Sequence, residues 1–141
     1  MSGFLIDTNV VSELRKRDRA DEGVRNWFDS ADDTSLWLSV LVVGELRRGV
    51  ALIARRDPDA AEAIGSWLDS VVEDYEDRIL PVTSGTAERW ALITVPDAVP
   101  VVTGLLAATA IEHGLTLVTR NVADVANTGV VCLDPFGSAG D

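Results

Sequence analysis

Five short apolar segments recur along the 141-residue chain and constrain its fold more than any other feature. They are uniformly apolar, so they predict strands that are buried on both faces. Between them, apolar residues recur at helical spacing. This alternation is typical of a mainly parallel sheet with helices on both faces, that is, a three-layer α/β/α fold. The predicted strands are residues 4–6, 36–38, 79–82, 115–119 and 130–133.

Capping residues locate several helix ends. Ser39 follows the second strand and is a suitable N-cap, while Asp57 and Pro58 combine a capping carboxylate with a first-turn proline. A later helix is predicted over residues 104–113, where Gly114 provides the left-handed conformation that ends many helices. These signals divide the chain into one repeating strand–helix pattern with no linker between two halves.

The length fits one domain, predicted over residues 1–136, with residues 137–141 predicted as a frayed tail. Cys132 is the only cysteine, so the fold must be stable without an internal disulfide, as in a reducing compartment. The N-terminal apolar run is too short for a signal peptide, and no stretch reaches the roughly 20 apolar residues of a membrane helix. A cytoplasmic protein with no membrane contact is therefore expected.

The net charge is −11, with 23 acidic and 12 basic side chains. Such a charge argues by itself against binding nucleic acid, which normally needs a basic surface. It fits either of two roles for the acidic side chains. In one they cluster to bind a metal ion, and in the other they attract a basic protein partner.

Three acidic residues occur where an open parallel sheet places its site, beyond the carboxyl ends of the strands. Asp7 directly follows the first strand, and Asp124 lies shortly after the fourth. Glu45 lies in the helix after the second strand, within an otherwise apolar stretch, where a carboxylate is costly unless a cation or donor pairs with it. Taken singly, each could be a capping or surface acid.

Together, these segments resemble the PIN-domain family, and most closely the VapC-type toxins of bacterial toxin–antitoxin pairs. The resemblance rests on ordered motifs that span nearly the whole chain: Leu-Ile-Asp-Thr-Asn at residues 5–9, Gly-Glu-Leu-Arg-Arg-Gly at 44–49, Leu-Ala-Ala-Thr-Ala at 106–110, and Leu-Val-Thr-Arg-Asn at 117–121 with Asp124.

The resemblance implies a Mg²⁺-dependent endoribonuclease, with Mn²⁺ able to substitute, that acts as the toxin of a type II pair. It implies a homodimer, a cognate antitoxin and an RNA substrate. Hard cations take oxygen ligands, and a bound cation can activate water and offset phosphate charge. Carried over to this sequence, the resemblance makes Asp7, Glu45 and Asp124 both catalytic residues and metal ligands, direct or through water. It makes Asn9, Thr119 and Asn121 supporting residues that hydrogen-bond near the site, and it places Thr103 with them as a fourth supporting residue.

One position departs from the family pattern. The family has an acid at the start of the helix that carries the Ala-Ala-Thr-Ala segment, where this chain has Thr103. Threonine can cap a helix but supplies no negative charge. Metal affinity is therefore expected to fall, and a two-metal site becomes doubtful. Asp97, six residues upstream, is an alternative source of the missing charge.

Two other functions fit parts of the sequence. A PIN-like protein with little catalysis, acting by binding antitoxin or RNA, is favoured by Thr103. A phosphatase with Asp7 as its nucleophile is ranked last, because enzymes of the haloacid dehalogenase type usually carry a second aspartate where this chain has Asn9. No glycine-rich nucleotide motif is present.

Overall fold

The structure is a computed structural model that describes residues 2–137. These residues form six α-helices and one sheet of five parallel strands. The strands are β1 (Phe4–Ile6), β2 (Leu36–Ser39), β3 (Ile79–Leu80), β4 (Thr116–Val118) and β5 (Cys132–Leu133). The helices are α1 (Thr8–Leu14), α2 (Glu22–Ser30), α3 (Val40–Ala54), α4 (Pro58–Asp74), α5 (Ser84–Ile93) and α6 (Val101–His113).

The strand order across the sheet is β3-β2-β1-β4-β5. Because every pair is parallel, the carboxyl ends of all five strands meet at one edge, which we call the carboxyl edge. Strand β1 lies at the centre, with Leu5 in register with Trp37 of β2 and with Leu117 of β4. The two strands that flank β1 therefore bring their following residues next to the residue that follows β1.

The crossovers place the helices on both faces of the sheet. Helices α1 to α4 connect strands that advance from β1 towards β3, whereas α5 and α6 return the chain across the sheet to β4. Right-handed crossovers put these two groups on opposite faces. Contacts agree, because α1 packs on α2 and α3, α3 packs on α4, and α5 packs on α6. The predicted three-layer α/β/α fold with a parallel central sheet is confirmed.

The core lies where the sheet meets the helices. Leu5, Ile6, Leu117 and Val118 of the two central strands are fully or almost fully buried. Burying such side chains stabilises a fold by about 1.5–3 kcal/mol each. The uniformly apolar segments predicted as buried strands are thus the centre of the core.

The predicted helix caps are present. Ser39 accepts a hydrogen bond from Leu41 N at 3.0 Å, and Asp57 accepts one from Ala60 N at 3.0 Å. Gly114 ends α6 with φ of +65°, a left-handed conformation that is cheap for glycine. Local capping chemistry therefore decides where these elements begin and end.

Helix α6 begins earlier than predicted. It starts at Val101, three residues before the predicted start, because Pro100 provides the extended N-cap conformation with φ of −50° and ψ of 137°. Thr103 lies within the first turn of α6 and makes no capping hydrogen bond, so the N-cap is its neighbour Pro100. Strand β3 is shorter than predicted and ends before Pro81, which has no N–H to donate to a neighbouring strand.

Beyond β5, the chain continues along the carboxyl edge. Gly137, the first residue of the tail predicted to fray, donates its N–H to Asp21 Oδ2 at 3.0 Å. The other tail residues, 138–141, lie outside the described residues. In the part of the chain that is described, no helix has the combination of length and apolar character needed to cross a membrane.

Candidate active site

Asp7 is the central residue of the carboxyl edge. It follows β1 and is the N-cap of α1, where its extended backbone lets Oδ1 accept the Thr8 N–H at 2.7 Å. Its side chain is buried, with only 6% of its surface exposed. The end of a central strand and the start of a helix together fix both its position and its direction.

The second oxygen of Asp7 is held by the residue that follows β4 and by a residue of α1. The Thr119 hydroxyl, itself fully buried, donates to Oδ2 at 2.7 Å, and Asn9 Nδ2 approaches the same oxygen at 3.4 Å. Thr119 Oγ1 in turn accepts the Asn121 N–H at 2.9 Å. The structure therefore gathers Asp7 with three of the four predicted supporting residues, and Thr103 makes none of these hydrogen bonds.

Thr8 joins Asp7 to Glu45. Its backbone N–H donates to Asp7, while its hydroxyl donates to Glu45 Oε1 at 2.6 Å. Glu45 is exposed and extends from the second turn of α3. Asp7 and Glu45, two of the three predicted acids, thus both accept a hydrogen bond from Thr8.

The electrostatics of Asp7 are unfavourable for a bare carboxylate. Burial raises its pKa above the ordinary value near 3.8, and the negative charge of Glu45 raises it further. Hydrogen bonds from the Thr119 hydroxyl and the Thr8 backbone act in the opposite direction but do not cancel the effect of burial. Among the described residues, no basic side chain pairs with Asp7 or Glu45.

This arrangement fits a divalent cation. A cation would supply the positive charge that a buried carboxylate beside a second carboxylate lacks. Within residues 2–137, no group of three or more acidic, histidine or cysteine side chains lies close enough to hold one metal ion. Mg²⁺ in proteins typically takes only one or two carboxylates and keeps several waters, so a pair of carboxylates such as Asp7 and Glu45 would match that ligand set.

Asp124 and Thr103 belong to the same edge but stand apart from this pair. Asp124 is exposed in a 3₁₀ turn after β4, and no side-chain hydrogen bond in residues 2–137 involves it. Thr103 lies in the first turn of α6, which begins at the carboxyl edge because the helix runs down to β4. Asp97 accepts a hydrogen bond from Asn127 Nδ2 at 2.7 Å, so its carboxylate has a partner of its own.

A groove leads away from Glu45 between α1, α3 and α4. It encloses about 150 Å³, and its lining includes the polar residues Thr8, Arg15 and Glu45 and the apolar residues Ile53 and Trp67. Arg47, adjacent to this helix face, is paired with Asp69 at 2.7 Å. The groove makes Glu45 accessible from solvent.

The hydrogen bonds by which Thr8 links Asp7 to Glu45 were not predicted from the sequence. The signal was present, since Thr8 lies between Asp7 and Asn9 in the first motif. Only the tertiary placement of α3 against α1 shows that its hydroxyl reaches Glu45, 37 residues away.

Comparisons with known proteins agree on one family. A family model described as PIN domain matches residues 4–125. Toxin FitB of Neisseria gonorrhoeae is 33% identical over 139 residues, covering 94% of this chain and 98% of that protein. VapC ribonuclease Y4jK of Sinorhizobium fredii is 29% identical over 144 residues, covering 96% and 99%. The crystal structure of FitAcB from Neisseria gonorrhoeae has a TM-score of 0.85 at 33% identity, covering 94% and 97%.

Proposed function

The chain belongs to the PIN-domain family, and from that premise we propose that it is a metal-dependent endoribonuclease acting in the cytoplasm as the toxin of a toxin–antitoxin pair. The observation that carries the proposal is the buried Asp7, hydrogen-bonded on both oxygens and linked through Thr8 to Glu45. A relative named as a toxin and another named as a VapC ribonuclease support it.

The proposed ligands are Asp7 and Glu45, with Asp124 binding directly or through water. Mg²⁺ at these oxygens, or Mn²⁺ in its place, would lower the pKa of a bound water and offset charge on the phosphate. Thr119 and Thr8 hold the Asp7 carboxylate by hydrogen bonds to different oxygens, so its direction is set before substrate arrives. Such fixed supporting contacts often change metal affinity by about 10- to 100-fold.

Thr103 is proposed to weaken metal binding. It lies at the carboxyl edge with no charge, and Asp97 is occupied by Asn127. The site therefore has less negative charge to offset a divalent ion than the family pattern provides. This predicts a working enzyme of reduced metal affinity.

We propose that the antitoxin binds to a cavity of this chain that suits an apolar segment flanked by charged residues. This cavity, of about 400 Å³, is lined by apolar residues that include Ile6, Phe28 and Trp67 and by the charged residues Arg25 and Asp74. An antitoxin arginine reaching Asp7 and Glu45 would replace the charge of the metal. Co-expression with the protein encoded beside the gene tests this, since failure to form a complex contradicts the toxin assignment.

A homodimer is proposed as the solution state. Leu92 and Val95, at the end of α5 and in the loop after it, are 78% and 72% exposed, and Val101 at the start of α6 is 59% exposed. Covering such apolar surface is favourable. Light scattering is expected to give twice the chain mass of 15.1 kDa. A mass of one chain at all concentrations contradicts the dimer.

The test of the activity uses purified protein with structured and unstructured RNAs. Cleavage is expected with Mg²⁺ or Mn²⁺ and is expected to stop with EDTA. Cleavage that persists in EDTA contradicts metal dependence. Binding of RNA without any cleavage contradicts the ribonuclease and supports the binding protein instead.

A further inference from the structure

Within residues 2–137, Arg120 at the carboxyl edge has no acidic partner. It lies between Thr119 and Asn121, and its backbone N–H approaches Asn9 Oδ1 at 3.4 Å. Its side chain is exposed. None of the ion pairs or side-chain hydrogen bonds within residues 2–137 uses its guanidinium group, so five N–H donors there have no partner.

The guanidinium group is nevertheless held in place. Its central carbon lies 3.8 Å from the centre of the Phe136 ring, which packs against the core. Contact with an aromatic face restrains the group while leaving its N–H donors, which lie in the guanidinium plane, available to a further ligand. Arg120 is thus held in place, while its guanidinium group has no hydrogen-bond acceptor among the described residues.

The position of Phe136 depends on a second set of contacts. Asp21 caps α2 through Val24 N at 3.1 Å and also accepts the Gly137 N–H at 3.0 Å. Gly23 lets the tail approach, because a Cβ at this position would collide with the carbonyl oxygens of Pro135 and Gly137. The start of α2 therefore holds the segment that carries the aromatic ring.

We propose that Arg120, positioned by Phe136, binds a phosphate of the RNA substrate next to the phosphate that is cleaved. The inference rests on the proposed ribonuclease function and names a substrate contact for it. In a chain of net charge −11, the carboxylates of Asp7 and Glu45 repel an RNA backbone. An arginine one residue from Thr119 offers a planar, permanently charged fork that matches phosphate oxygens.

The test measures anisotropy of a fluorescein-labelled single-stranded RNA of about 12 nucleotides in EDTA, at a series of KCl concentrations. Arg120→Gln is expected to weaken binding about fivefold at low salt. It is also expected to reduce the slope of log affinity against log salt by about 0.7, the value for one lost phosphate contact on a single strand. In Mg²⁺, the same variant is expected to raise KM while leaving kcat nearly unchanged.

Matched variants separate the effect of the Arg120 charge from the effects of its position and of folding. Arg120→Lys keeps the charge, so the slope is expected to stay. Phe136→Leu keeps the charge but removes the aromatic face, so binding is expected to weaken about twofold with an unchanged slope. Arg56→Gln makes the same charge change after the end of α3, at the opposite edge of the sheet, and is expected to bind RNA like the parent.

Three results would overturn the proposal. The first is an Arg120→Gln variant with the parent's affinity and slope, or with a lower melting temperature and no change in slope, which indicates a structural role. The second is unchanged RNA binding with weakened binding of the antitoxin, which assigns Arg120 to the protein partner. The third is a parent protein that neither binds nor cuts RNA, and only this result also removes the proposed function.

Discussion

The carboxyl edge contains two regions that are built in different ways. At the junction of β1 and β4, Asp7 is buried and accepts hydrogen bonds on both oxygens from Thr8, Thr119 and Asn9. At the start of α6 and in the turn after β4, Thr103 and Asp124 make no side-chain hydrogen bond within residues 2–137. In the first region hydrogen bonds fix the direction of the side chain. In the second region the backbone only brings the side chains to the same edge of the sheet.

The difference indicates a division of tasks. A ligand whose orientation is fixed by strand, helix and hydroxyl loses little entropy when it binds a cation. A side chain without such contacts can change in charge or direction at little cost to the fold. We therefore expect substitutions in the first region to lower activity or metal affinity, and substitutions in the second to adjust metal affinity in either direction.

The largest effect is expected from Asp7→Asn. The change removes one charge with little change in shape, so RNA cleavage in Mg²⁺ is expected to fall by about 100-fold or more, because the metal supplies several kcal/mol of charge stabilisation. Asp59→Asn, the same change in the first turn of α4, is the control and is expected to cut RNA like the parent. Equal activity in the two variants would remove Asp7 from the site.

A smaller effect is expected from Thr8→Val. Valine keeps the backbone N–H that binds Asp7 but loses the hydroxyl that donates to Glu45. Mn²⁺ affinity, measured by calorimetry, is expected to fall by about tenfold, at the lower end of the range for supporting contacts. Thr8→Ser restores the hydroxyl and is expected to recover most of the loss. If serine does no better than valine, the link between Thr8 and Glu45 does not contribute.

In the second region, Thr103→Asp is expected to raise Mn²⁺ affinity rather than lower it. It adds a carboxylate to the first turn of α6, where an acid also interacts favourably with the helix dipole. One added charge near a solvent-accessible cation is worth about 1 kcal/mol, or roughly a fivefold gain in Mn²⁺ affinity. Thr103→Asn has a similar shape without the charge. A gain shared by both variants, or by neither, would show that charge at this position is not what limits metal binding.

The smallest effect concerns stability without metal. Because the pKa of Asp7 is raised in the folded protein, the parent loses stability as the pH rises from about 3.8 to the raised value, and the loss stays constant above it. Asp7→Asn removes this penalty. In EDTA at neutral pH, its melting temperature is expected to exceed that of the parent by a few degrees, and the difference is expected to vanish below about pH 3.8. A melting temperature below the parent's at neutral pH would mean that capping by the carboxylate outweighs the cost of burying it.

The first region could be predicted from sequence because it depends on local rules. An apolar run followed by Asp7 gives a strand end and a helix cap, and parallel strands bring Thr119 to the same edge. The position of Glu45 follows from the cap at Ser39, which fixes where α3 begins. The three-layer fold follows from the same alternation of strands and helices.

The second region could not be predicted as well, because it depends on the course of a loop. The start of α6 is set by Pro100 at the end of the segment that follows α5, and residue spacing alone does not give that turn. The stack of Arg120 on Phe136 is also absent from local patterns, since it requires the tail to cross the start of α2. Contacts between distant segments with irregular backbone are where sequence rules are weakest.

The hydrogen bond from Thr119 to Asp7 joins residues that are 112 positions apart. During synthesis at roughly 5–20 residues per second, Asp7 leaves the ribosome several seconds before the hydroxyl that orients it has been made. The segments that carry Asp7 and Glu45 are therefore made before the hydrogen bonds of the candidate site can be complete.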